Sequence, residues 1–154
     1  MKILIVEDDV NKLNALTELI HERFPEVVSD SARSLVSGVR RTREWSPDIV
    51  LLDMTLPSYD QTTIDDGGAT EPFGGVEFLR QMRRFNLSPQ VFVVTQFETF
   101  GEGQSLQTRE QLASELEGQF PGIFCGMLHY HASLQEWATR LVEFVDQNPI
   151  KSAE

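Results

Sequence analysis

The sequence predicts an α/β fold, a parallel sheet with helices on both faces joined by right-handed crossovers. Three observations lead there. Ile3 to Val6, Ile49 to Leu52 and Val91 to Thr95 are short apolar runs without alternation, the pattern of strands buried on both faces. Between them apolar residues recur at helical spacing. Prolines 25, 47, 57, 89 and 121 punctuate the change from one pattern to the other.

In order, Ile3 to Val6 is the first strand, and Glu7-Asp8-Asp9 ends it. Leu13, Leu16, Ile20 and Phe24 make a helix, with Asp8 or Asp9 as N-cap and Pro25 as its stop. Val27-Val28 reads as a weaker second strand. Leu35, Val39 and Thr42 to Trp45 give a second helix, closed by Ser46-Pro47. The third strand, Ile49 to Leu52, ends at Asp53. After Pro57 the pattern dissolves through 58–74, where acidic residues, Thr and Gly replace core residues. Val76, Leu79 and Met82 restore a helix, and Val91 to Thr95 is the fourth strand. A second loose stretch, 96–107, carries two aromatics expected to be exposed, Phe97 and Phe100. Leu112 and Leu116 mark a fourth helix, Ile123 to Leu128 a fifth strand, and Leu134, Trp137, Leu141, Val142 and Val145 a last helical stripe. The expected organisation is one domain over 1–147, with loop insertions at 58–74 and 96–107 and a fraying tail at 148–154.

The chain has 24 acidic and 13 basic residues, a formal charge of −11, which argues against nucleic acid or an anionic membrane as partner. Cys125 is the only cysteine and lies in an apolar stretch, so a reduced, packed thiol in a cytoplasmic protein is expected. The N-terminal apolar run is too short for a signal-peptide core, and no later run approaches a membrane span.

In a parallel sheet all carboxyl ends lie on one edge, where ligand crevices form. That edge collects Glu7, Asp8 and Asp9 after the first strand, Asp53 after the third and Thr95 after the fourth. Neighbouring carboxylates raise one another's pKa unless a cation intervenes, and magnesium, which takes oxygen ligands, is the natural one. A carboxylate there can attack phosphorus, and a hydroxyl such as that of Thr95 can receive the phosphoryl oxygens. The plainer alternatives are that Asp53 caps a turn before Pro57, that Asp9 serves only as a helix cap, and that Thr95 reflects β-propensity.

Ile-Leu-Ile-Val-Glu-Asp-Asp at the first strand, Asp-Ile-Val-Leu-Leu-Asp-Met-Thr-Leu-Pro at the third and Val-Phe-Val-Val-Thr at the fourth resemble the CheY-like receiver domains of two-component response regulators. The resemblance implies a flavodoxin-like fold with strand order 2-1-3-4-5. It implies Asp53 as phosphoacceptor, Glu7 and Asp8 as the acidic pair holding Mg2+, the Thr55 carbonyl as a backbone metal ligand, and Thr95 as the switch hydroxyl. A histidine kinase or phosphotransfer protein would be the phosphodonor, and the receiver, a monomer or weak homodimer and not a separate enzyme, would signal by protein contact.

The chain departs from the family after the fifth strand, where a Lys-Pro pair is replaced within Gly-Met-Leu-His-Tyr-His-Ala. Aligned without a gap, Tyr130 takes the lysine position, while a slip would bring His129 or His131 there. The lysines are Lys2, Lys12 and Lys151, none expected at that edge of the sheet. The expectation is therefore a site without its cation, weakly coupled to the fold and strengthened by Tyr130→Lys. A pseudo-receiver that is never phosphorylated is the alternative function. An aspartyl phosphatase would need an acid two residues after Asp53, where Thr55 stands.

Overall fold

The computed structural model describes residues 1–60, 70–71, 73–133 and 135–147. Within them five parallel strands form one sheet: β1 (Lys2–Val6), β2 (Val28–Ala32), β3 (Ile49–Leu52), β4 (Gln90–Thr95) and β5 (Phe124–His129), in the order 2-1-3-4-5. Five helices alternate with them: α1 (Val10–Arg23), α2 (Leu35–Trp45), α3 (Gly74–Arg84), α4 (Arg109–Gln119) and α5 (Glu136–Gln147). This is the flavodoxin-like arrangement. Successive strand residues point to opposite faces, so Ile3, Ile5, Ile49, Leu51 and Val94 pack under α1 and α5. Leu4, Val6, Val50, Leu52 and Val93 pack on the other face, with Phe78 and Leu79 of α3 and Leu112 and Leu116 of α4.

The helix starts follow local chemistry. Asp9 caps α1, its Oδ1 accepting the N–H groups of Asn11 at 2.9 Å and Lys12 at 3.2 Å. Ser34 and Ser37 form a capping box at the start of α2. At α3 the backbone approaches closely: Gly75 N–H donates to Met54 O at 2.8 Å, and a Cβ on Gly75 would lie 3.0 Å from Met54 Cα. That contact seats α3 directly beside the end of β3.

Four expectations need correction. The second strand is Val28–Ala32, not Val27-Val28; it is an edge strand of mainly polar residues, held by its backbone ladder to β1, so apolar content could not reveal it. Phe100 is buried at 3 % exposure against Phe73, ring centroids 6.4 Å apart, whereas Phe97 is indeed exposed at 41 %. The stretch holding Phe100 is ordered by a two-residue antiparallel ladder, Thr99–Phe100 with Gln107–Thr108. Cys125 is exposed and not packed, because β5 bulges there: Val91 pairs with Phe124 and Phe92 with Gly126, leaving Cys125 unpaired. The Phe92 ring lies over Gly126 and stacks on Phe144 of α5 at 3.9 Å.

The fourth correction, the position of Lys12, belongs to the site. Of the loop 58–74, Leu56–Pro57 pairs with Thr70–Glu71, Ser58 O accepts Val36 N–H at 3.0 Å, and Asp60 Oδ1 accepts the Ser37 hydroxyl at 2.8 Å. Residues 61–69 and 72 of that loop, Leu134 and the tail 148–154 lie outside the described residues.

Candidate functional site

Parallel pairing of β1 with β3 in the register Val6↔Leu52 brings the residues that follow each strand side by side at the carboxyl edge. Asp53 N–H donates to Val6 O at 3.0 Å, and Glu7 N–H to Ala32 O at 3.0 Å. The Glu7 and Asp53 carboxylates both end up buried, 2 % and 6 % exposed. Asp8 is half-buried, its carbonyl accepting from Arg33 Nη2 at 3.1 Å. Thr95, fully buried at the end of β4, accepts the Phe97 N–H on Oγ1 at 3.1 Å, which leaves its hydroxyl proton to donate.

Two carboxylates in a dry pocket require a counter-charge, and Lys12 supplies it. Its side chain, 2 % exposed, runs inward from the first turn of α1. Nζ lies 2.8 Å from Glu7 Oε1, 3.4 Å from Asp53 Oδ1 and 2.6 Å from Val94 O. Three acceptors thus face the three N–H donors of one ammonium. The expectation that no lysine reaches this edge is wrong. The signal was present in the helix period, since Lys12, Leu16 and Ile20, four residues apart, are the buried stripe of α1. Lys2 bonds Trp45 O at 2.6 Å at the opposite end of β1, and Lys151 lies outside the described residues.

Burial dominates the carboxylates' acid–base behaviour. Desolvation pushes Glu7 up to about 7, against the attraction of Lys12 and with the help of the Asp53 charge. Asp53 is also raised by desolvation, and Lys12, the Thr55 backbone N–H and the Glu7 carboxyl oppose the rise. A hydrogen bond between the two carboxyl groups needs one proton, held by the pair. Desolvation raises Asp8 too, with Arg33 opposing and Asp9 and Asp60 adding to it.

Tyr130, just past β5, donates its N–H to Thr95 O at 2.7 Å. Its ring is buried against Trp137 of α5 at 4.8 Å, and its centroid lies 5.8 Å from Lys12 Nζ. Tyr130, the residue expected at the family's lysine position, therefore faces the Lys12 ammonium. His129 and His131 instead line a separate small pocket with Arg109, Trp137 and Arg140.

Residues 3–107 match the family description of the response regulator receiver domain, a stretch that includes Glu7, Asp8, Lys12, Asp53 and Thr95. The chain belongs to that family. Among relatives of this receiver, an uncharacterized protein, y4jR, of Sinorhizobium fredii is 36% identical over 143 residues, covering 92% of this chain and 94% of that protein. The Detocs response regulatory protein DtcB of Enterobacter cloacae is 30% identical, covering 96% of this chain and 99% of that one. In structure, the response regulator domain of Thermotoga maritima CheB superposes with a TM-score of 0.65 at 16% identity, over 96% of this chain and 95% of the other, a likeness of fold.

A receiver's divalent cation can be tested against these donors. Among the described residues no three His, Cys, Asp or Glu side chains are gathered as a preformed metal cluster, because Lys12 stands between Glu7 and Asp53. The donor chemistry nevertheless fits magnesium: three carboxylates against one ammonium leave up to two negative charges beside backbone carbonyls. Both Glu7 oxygens are engaged, Oε1 by Lys12 and Oε2 by the Asp9 N–H at 3.0 Å. Each carboxylate oxygen keeps a further lone pair, so Glu7, Asp8, Asp53 and the Thr55 carbonyl are the groups that would hold a cation.

Proposed function

We propose that this receiver accepts a phosphoryl group on Asp53 from a histidine kinase or phosphotransfer protein and passes the signal on by protein contact. The observation that carries the reading is the Asp53 carboxylate itself, buried yet ionisable at the carboxyl edge of the sheet, with the Lys12 cation and the Glu7 carboxylate beside it. A structural turn cap needs none of these. In the transfer an Asp53 carboxylate oxygen attacks phosphorus and forms the new O–P bond, while the bond from phosphorus to the donor's nitrogen or acyl oxygen breaks and the leaving group takes the electron pair. Magnesium, when bound, neutralises the transferring oxygens. Thr95 keeps its proton and donates a hydrogen bond to a phosphoryl oxygen.

The match to DtcB, a response regulatory protein, over 96% of this chain and 99% of that one supports a response-regulatory role for this receiver. The test is intact mass after incubation with acetyl phosphate and magnesium. One phosphoryl group is expected on the wild type, and none on Asp53→Asn or after chelation of the metal. A folded wild type that gains no mass beside a receiver that does would make this chain a pseudo-receiver that works as an interaction module.

A further inference from the structure

We propose that Lys12 holds the phosphoryl group on Asp53, so that the cation of this site comes from α1 and β5 contributes an aromatic backing in its place. The inference rests on Asp53 being the phosphoacceptor. Its basis is the unequal grip on Nζ. The contacts to Val94 O at 2.6 Å and Glu7 Oε1 at 2.8 Å are tight, while the reach to Asp53 Oδ1 is long at 3.4 Å. Two partners anchor the ammonium, and its third N–H is directed at Asp53 without a good bond there. A phosphoryl group on Asp53 brings new anionic oxygens to that side and gives the third donor a charge-assisted partner.

Lys12 is also placed to report what it binds. Val94 precedes Thr95 on β4, and the Tyr130 ring, 5.8 Å from Nζ, rests on Trp137 of α5. One side chain from α1 therefore touches the residues that follow β1 and β3, touches β4, and faces the residue that follows β5. Arg33 is exposed and donates to the Asp8 carbonyl. In the transfer Lys12 keeps its three protons; it donates hydrogen bonds and takes no part in bond making or breaking.

The test is beryllofluoride binding in magnesium, followed by 19F NMR, on wild type, Lys12→Met, the charge-balanced Glu7→Gln/Lys12→Met and the relocated-charge Lys12→Met/Tyr130→Lys. Losing a charge-assisted hydrogen bond weakens binding roughly ten- to hundredfold, and that loss is expected in both variants that lack the cation. The charge-balanced variant guards against misfolding of the single one. The relocated cation is expected to recover most of the affinity, and with it the shifts that beryllofluoride causes in the backbone amide resonances of Val94 and Trp137, read in 15N-labelled protein. Wild-type affinity in any folded variant without the cation overturns the proposal and leaves the phosphoacceptor reading standing. A loss that the relocated lysine does not recover assigns Lys12 to holding the carboxylates apart, and also overturns it. A wild type that neither binds beryllofluoride nor gains a phosphoryl group ends the phosphoacceptor reading, and this proposal with it.

Discussion

On one flank of Asp53, β1 and α1 bring Glu7, Asp8 and Lys12, three ionisable groups within six residues of chain; on the other, β5 leads to a tyrosine ring packed on Trp137. The first flank is costly to bury and held by ion pairs, the second is apolar and held by area. The comparison teaches that the chemistry of the site requires a cation at one point in space but does not dictate which element delivers it. α1 can deliver it because Lys12 lies in its first turn, where the buried stripe comes nearest to the carboxyl edge.

The contrast is broken most directly from the charged side. Lys12→Ala leaves two buried carboxylates without their counter-charge, and removal of one member of a buried pair costs about 3–5 kcal/mol. That loss is expected in chemical denaturation of the metal-free protein at pH 8, and a smaller one at pH 5, where Glu7 carries its proton. Adding Glu7→Gln to the lysine substitution should restore much of it, which a packing defect would not allow.

The same flank sets the pH response. Glu7 stands at about 7 in the folded protein against an ordinary 4.5, so between those values the native state holds a proton that the unfolded chain has released. Stability of the metal-free protein therefore falls as pH rises through that window and levels off above it. Asp53, also raised, adds in the same direction. The drop is on the order of 3–4 kcal/mol if the whole Glu7 shift is realised. Glu7→Gln should flatten the profile. A wild type whose stability instead rises from pH 5 to pH 7 would mean that Lys12 outweighs desolvation.

The apolar flank resists a charge for the same reasons. With Lys12 in place, Tyr130→Lys sets a second ammonium beside the first and removes the ring from Trp137, at a cost of roughly 1–3 kcal/mol by analogy with other core misfits. The sequence-based expectation of tighter beryllofluoride binding is thereby reversed in the wild-type background. Calorimetric Tm and beryllofluoride affinity, measured together, check both halves.

What the sequence made legible was whatever depends on local period. The strands buried on both faces, the five helices and the acidic edge all follow from runs, stripes and breakers read a few residues at a time. Elements whose identity depends on a neighbour were not legible. β2 carries Ser29, Asp30 and Ser31 and is a strand because β1 pairs with it. Cys125 is exposed because of a bulge that only the pairing with β4 defines. Phe100 looked like a loop aromatic until Phe73 came to cover it. Lys12 is the instructive case, because its spacing from Leu16 and Ile20 marks the inner face, whereas its charge argues for the outer one. Charge is the weaker guide at a helix start that abuts buried carboxylates.

The smallest expected effect tests whether the two flanks are joined at all. The Tyr130 centroid lies 5.8 Å from Nζ, close to the outer limit of a useful cation–π contact, where about 0.5–1 kcal/mol is typical. Tyr130→Leu by itself would mix that term with lost contact to Trp137 and with cavity effects, so the single variant decides nothing. A double-mutant cycle with Lys12→Met isolates the pair, since the Trp137 and cavity costs are common to both backgrounds and cancel. A coupling of about 0.5–1 kcal/mol is expected, read from denaturation at pH 8. A larger value would mean that the surrounding burial strengthens the contact as it does for other desolvated cations. Zero coupling would reduce Tyr130 to core filler and leave Val94 as the one tie between Lys12 and the far half of the sheet.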